Sequence, residues 1–183
     1  MARKDRNTPR PDHRRRHAER LVQQHAGHRC GTHADNLILA AMQYLELGED
    51  EPAERAMREA VGIEDAEPGR PHATYILFLL ERGRTDEARA LLSEVRRLRP
   101  QEPFIYGVIA AALATHGQPE QAARWYTAGL AAAVERLADL EADDVLEDPQ
   151  LLIMAVGRRQ VRASLGLEPD HIDLLVTEVT AAA

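Results

Sequence analysis

Chemistry is concentrated near the N-terminus, where His25, His28, Cys30 and His33 fall close together. Imidazole and thiolate are donors that zinc prefers, and four of them could close a tetrahedron. This spacing matches no standard zinc motif, however, and the residues straddle an expected helix end and turn, where histidine and glycine are ordinary. The expectation is therefore a solvated turn with partial core contacts and no cofactor, with a zinc site at these four residues as the alternative.

A second feature is the run Arg14-Arg15-Arg16, flanked by further arginines, which could neutralise phosphates. Residues 1–33 hold nine of the 23 lysines and arginines against three acids, whereas the remainder carries 14 basic and 27 acidic residues. No aromatic residue interleaves with the arginines to stack bases, and the acidic body would repel a long duplex. An arm that is solvated, or folds back on its own acidic body, is favoured over one that binds nucleic acid. Beyond these two features there is no Gly-rich phosphate loop, no Gly-x-Ser-x-Gly elbow and no His-Glu-x-x-His. The pair Asp143-Asp144 lies in an expected loop without convergent partners. The chain is expected not to be an enzyme.

Composition narrows the elements that could position such residues. At 183 residues the chain can bury a real core. Aromatics are only 4% while alanine and leucine dominate, which suits helices over strands. Cys30 is alone, so no intrachain disulfide can form. The N-terminus lacks the apolar run of a secretory signal and no stretch is long and apolar enough to span a membrane, so the expected location is cytoplasmic. Arginine outnumbers lysine, with Lys4 the sole lysine, and this bias suits a GC-rich bacterial genome.

The organising pattern is a repeat. Gly48, Gly83 and Gly117 are spaced 35 and 34 residues apart, and each is followed five positions later by alanine: Ala53, Ala88 and Ala122. Before each glycine stand Ala40-Ala41, Tyr75-Ile76 and Ile109-Ala110, then Tyr44, Leu79 and Leu113, at spacings that share one helix face. Each glycine is expected to end a first helix with positive φ, and each alanine to let a second helix cross closely. Thr85 is expected to cap the second helix of the middle unit, and Pro52 and Pro119 to sit in the first turn of theirs.

This pattern resembles the tetratricopeptide repeat, a helix-turn-helix unit, in three copies over residues 34–134. The resemblance implies an all-α solenoid of three helical hairpins. Residues 1–11 are expected to form a disordered basic arm, 12–33 a capping helix and turn with Ala18, Leu21, Val22 and His25 on its apolar side, and 135–183 a helical extension. Within that extension the second helix of the third repeat is expected to run to about Leu140 and end in an acidic turn, Glu141 to Asp148. Another helix follows Asp148-Pro149, and a short one follows Pro169. The stretch from Gly157 to Asp170 is similar to the C-terminal part of actinobacterial repeat proteins related to those with the SEC-C motif, whose zinc-binding cysteines this chain lacks.

The resemblance also implies a groove lined by the first helices, at Ile38, Met42, Ala73, Leu77, Leu80, Ala111 and Ala114. These residues are apolar, which implies a peptide or helix of another protein as ligand, or the chain's own flanking helices as filling. The implied role is an adaptor or scaffold, and self-association as a homodimer fits equally well. The alternative is a metal- or nucleic-acid-binding regulator that uses the basic, His-rich N-terminus. Native mass spectrometry of protein purified without chelator is expected to show no zinc. One zinc per chain, lost on Cys30→Ser, would favour the regulator.

Overall fold

The computed structural model describes residues 11–23, 32–63, 67–134 and 137–182, and these form helices and turns without a strand. The chain divides into two compact units, residues 1–67 and 68–183. The first contains α1 (Pro11–Gln23), α2 (His33–Glu46) and α3 (Asp50–Val61). The second contains α4 (Arg70–Glu81), α5 (Thr85–Leu98), α6 (Pro103–Thr115), α7 (Pro119–Ala133), α8 (Ala142–Glu147), α9 (Pro149–Ser164) and α10 (His171–Ala182).

In the first unit, α1 packs on α2 through Ala18 and Leu21, and α2 and α3 close a hairpin over Leu37, Ala41, Tyr44, Ala53 and Met57. A capping box that the sequence reading missed starts α2. The Asp35 amide donates to Thr32 Oγ1 at 3.2 Å, and the Thr32 amide donates to the Asp35 carboxylate at 2.9 Å.

Every hairpin turn is built alike. Gly48, Gly83 and Gly117 have φ of 74°, 70° and 73°. The amide after each glycine donates to the carbonyl four residues before it: Glu49 to Tyr44 at 2.9 Å, Arg84 to Leu79 at 2.8 Å and Gln118 to Leu113 at 2.9 Å. This six-to-one bond satisfies a carbonyl that the helix end leaves open. Ala53, Ala88 and Ala122 are fully buried, as close crossing requires. Thr85, by contrast, is the first residue of α5 rather than its cap: Arg84 holds the N-cap position and makes no side-chain cap bond.

The C-terminal flank departs further from expectation. α7 stops at Ala133 instead of reaching Leu140, and Val134 is extended. The reason lies in burial. Ala131, Ala132 and Ala133 are exposed and give the helix nothing to pack, whereas Leu140 is buried, so the chain leaves the helix and passes a 3-10 turn, Leu137–Asp139, to bury it. The expected acidic turn is mostly helical, as α8, with Glu141 as N-cap in a capping box with Asp144 and Val145 buried. α9 begins as expected, with the Gln150 amide donating to Asp148 Oδ1 at 2.8 Å. Gly166, at φ 68°, ends it in the same way as the repeat glycines, with Leu167 N donating to Arg162 O at 3.1 Å. Thus α9 and α10 form a fourth hairpin.

α9 packs against both α6 and α7, and the junction depends on missing side chains. A methyl at Gly129 would lie 2.7 Å from Tyr106 Cβ and 2.9 Å from Met154 Sδ, and one at Gly157 would lie 2.6 Å from the Tyr126 ring. Contacts that short require the Tyr126 ring, Met154, Tyr106 or a helix backbone to shift. Gly157→Ala is accordingly expected to lower stability by about 2 kcal/mol in urea unfolding, the usual cost of overpacking.

Candidate functional site

The residues expected to line a groove fall in both units. Ile38 and Met42 lie on α2; Ala73, Leu77 and Leu80 on α4; Ala111 and Ala114 on α6. Met42 and Ala111 are exposed, and Ile38, Leu77 and Ala114 are half-buried. Ala73 and Leu80 are buried, and therefore belong to the core rather than to open surface. The cause is that α4 packs against both α5 and α6 and so buries most of its circumference.

Two larger side chains escaped the sequence reading. Phe104 and Ile153 stand thirteen residues before Gly117 and Gly166, and they are 53% and 68% exposed. Phe104 is seven residues from Ala111, hence on the same side of α6. Ile153 holds the equivalent register on α9, which packs beside α6. Extending the glycine register from Gly117 to Gly166 would have found it. Within the second unit, Leu77, Phe104, Ala111 and Ile153 therefore supply apolar surface at matching positions of successive first helices.

The fourth hairpin has an ionic core. Eight and four residues before the repeat glycines the other hairpins carry Ala40, Tyr75 or Ile109 and Tyr44, Leu79 or Leu113; here Arg158 and Arg162 take those places. Arg158 is 5% exposed and Asp173 is 3% exposed. Arg158 donates from Nε to Thr127 Oγ1 at 2.9 Å, and from Nη1 to Asp170 at 2.9 Å and Asp173 at 3.0 Å. Arg162 Nε donates to Asp173 Oδ2 at 2.8 Å. The hydrogen bonds from Arg158 hold the Asp170 carboxyl down at about 2 against desolvation. Each buried charge here meets its counter-charge inside the chain, so the cluster fastens α10 to α9 and offers no group for acid-base work. Removing Arg158 would take from the buried Asp173 carboxylate one of its two ion-pair partners and leave it Arg162 alone, which destabilises the hairpin.

For the metal alternative, His25, His28 and Cys30 lie outside the described residues, while His33 is buried on α2 with Nε2 3.7 Å from Glu59 Oε1. Among the described residues no three His, Cys, Asp or Glu side chains gather as metal ligands, and no helix is long and apolar enough to cross a membrane.

His72 is buried between α4 and Glu94 of α5, with Nε2 3.6 Å from the carboxylate. Burial lowers its pKa, and Glu94 only partly opposes this. Because the folded value lies below the ordinary 6.5, the unfolded chain takes up the proton first as pH falls, and the stability His72 contributes above that value is lost. Thermal melts should therefore show stability declining below about pH 6.5, with a shallower decline in His72→Phe.

The Tetratricopeptide repeat family profile matches residues 17–147. No curated protein and no solved structure matches the chain significantly. The matched span runs from α1 to the end of α8 and includes the three hairpins closed by Gly48, Gly83 and Gly117. On this match and this architecture, the chain belongs to the tetratricopeptide repeat family.

Proposed function

We propose that this chain is a non-catalytic adaptor or scaffold whose second unit binds a partner protein through the exposed sides of α4, α6 and α9. Tetratricopeptide repeats generally mediate protein-protein interaction. The observation that carries the more specific reading is the outward placement of Phe104 and Ile153, large apolar groups that the hairpin packing does not need. With Leu77 and Ala111 they provide an apolar strip across helices that pack in succession. Covering two such partly exposed side chains contributes about 1–2 kcal/mol each before association costs.

The ligand that suits this strip is an amphipathic helix or an extended apolar segment, with its apolar residues turned to the groove. Residues 68–183 hold 17 acidic and 12 basic side chains, which favours a ligand whose apolar face is flanked by lysine or arginine.

Selection of displayed peptides on the immobilised protein tests the reading. Enriched sequences should be apolar at helical or alternating spacing, and Phe104→Glu or Ile153→Glu should weaken their binding about tenfold or more. Leu98→Glu, at an exposed site on α5, should leave binding unchanged. Enriched peptides that bind all three variants equally would place the ligand elsewhere.

A further inference from the structure

α1 sorts its basic residues between two sides. Arg14 is ion-paired with Glu46, and Arg15 lies 3.6 Å from Glu19 and 3.7 Å from Glu49. Arg16 and Arg20, by contrast, have no carboxylate at ion-pair distance among the described residues. His13, Arg16, His17 and Arg20 follow the i, i+3, i+4, i+7 spacing of one helix face and all four are exposed, while Ala18 and Leu21 are buried. Arg20 Nη2 lies 3.4 Å from His17 Nδ1. His13, Arg16, Arg20 and Gln23 border a shallow concavity of about 330 Å³ whose one carboxylate, Glu19, is the one at 3.6 Å from Arg15.

We propose that this outward stripe binds the phosphate backbone of duplex nucleic acid without reading its sequence. Guanidinium groups meet phosphate oxygens through paired donors, and exposed imidazole and amide groups add further hydrogen bonds. At 1.5 Å rise per residue the stripe from His13 to Arg20 extends about 10 Å, the axial span of about three phosphates on one strand. The sequence before α1 adds Arg3, Lys4, Arg6 and Arg10 against Asp5. The helix carries no aromatic residue on which unpaired bases could stack, so a single strand gains nothing over a duplex. Its apolar residues Ala18 and Leu21 are buried, which removes the anchor an interfacial membrane helix needs. Close to the stripe, Glu46 and Glu49, the acids that reach α1 from α2 and its turn, are ion-paired with Arg14 and Arg15.

The test is a salt titration of full-length protein with a fluorescein-labelled DNA duplex, read by anisotropy, with circular dichroism to confirm that each variant keeps its helix content. Binding should weaken linearly with log salt. Arg16→Ala combined with Arg20→Ala should flatten that slope by about 2 and reduce affinity on the order of 50-fold near 0.1 M salt. Arg14→Ala combined with Arg15→Ala, which removes the internally paired residues, should leave the slope nearly unchanged. The proposal is overturned by no duplex binding, by equal loss from the two double variants, or by loss only when residues 1–10 are deleted. Binding to phosphatidylserine vesicles but not to duplex would overturn it in favour of a membrane surface. Salt-sensitive self-association that the Arg16/Arg20 variant abolishes, without duplex binding, would overturn it in favour of a second copy.

Discussion

Close approach of helices is the constraint on which this structure depends. A helix pair gains dispersion and excludes water only where its backbones can come near, and that requires side chains of a methyl or less at the crossing. Ala53, Ala88 and Ala122 supply this inside the three repeat hairpins. Gly129 and Gly157 supply it where α9 crosses α7, with Tyr126 against Gly157 and with Met154 and Tyr106 against Gly129. The glycine turns serve the same end, since positive φ at Gly48, Gly83 and Gly117 returns the chain over its own first helix within three residues. Large residues elsewhere then fill the layers these small ones open, as Leu37, Ile76, Ile109 and Trp125 do.

Electrostatics take over where that constraint weakens. The fourth hairpin keeps the glycine turn and the first-helix register, yet Arg158 and Arg162 stand where the others have apolar core residues. Asp170 and Asp173 answer them, Asp173 with a fully desolvated carboxylate. A buried network of this kind adds less net stability than an apolar core would, but it admits one alignment of α10 on α9, because only that alignment pairs the buried charges. At the other end, two of the four arginines of α1, Arg14 and Arg15, are paired with carboxylates of their own unit. A function built on apolar surface in the second unit and one built on the outward stripe of α1 draw on different physical terms and need not compete.

Much of the fold could be read from periodicity. The three glycines, the alanines five residues on and the apolar pairs before them place α2 to α7 correctly, because helix-terminating conformation and close crossing are local demands that few residue types meet. The flanks were read less well. The sequence is read as one helix from Glu120 to about Leu140; the helix stops at Ala133 because exposed alanines pack nothing and Leu140 needs cover. The capping box of Thr32 and Asp35 is legible in the spacing of those two residues.

For the candidate site the division is similar. The sequence by itself determined the repeat, the register of each hairpin and the charge asymmetry between the ends, since these follow from residue type and spacing alone. Which apolar residues face outward was decided only by tertiary packing. Leu80 and Ala73 look as available as Leu77 on a helical wheel, yet α4 has neighbours on two sides and buries them. Phe104 and Ile153 look like core residues, yet the packing among the described residues leaves both exposed. Likewise, which arginines of a contiguous run are paired among the described residues depends on where Glu46 and Glu49 arrive in space, a matter of how α1 packs on α2 and not of the run itself.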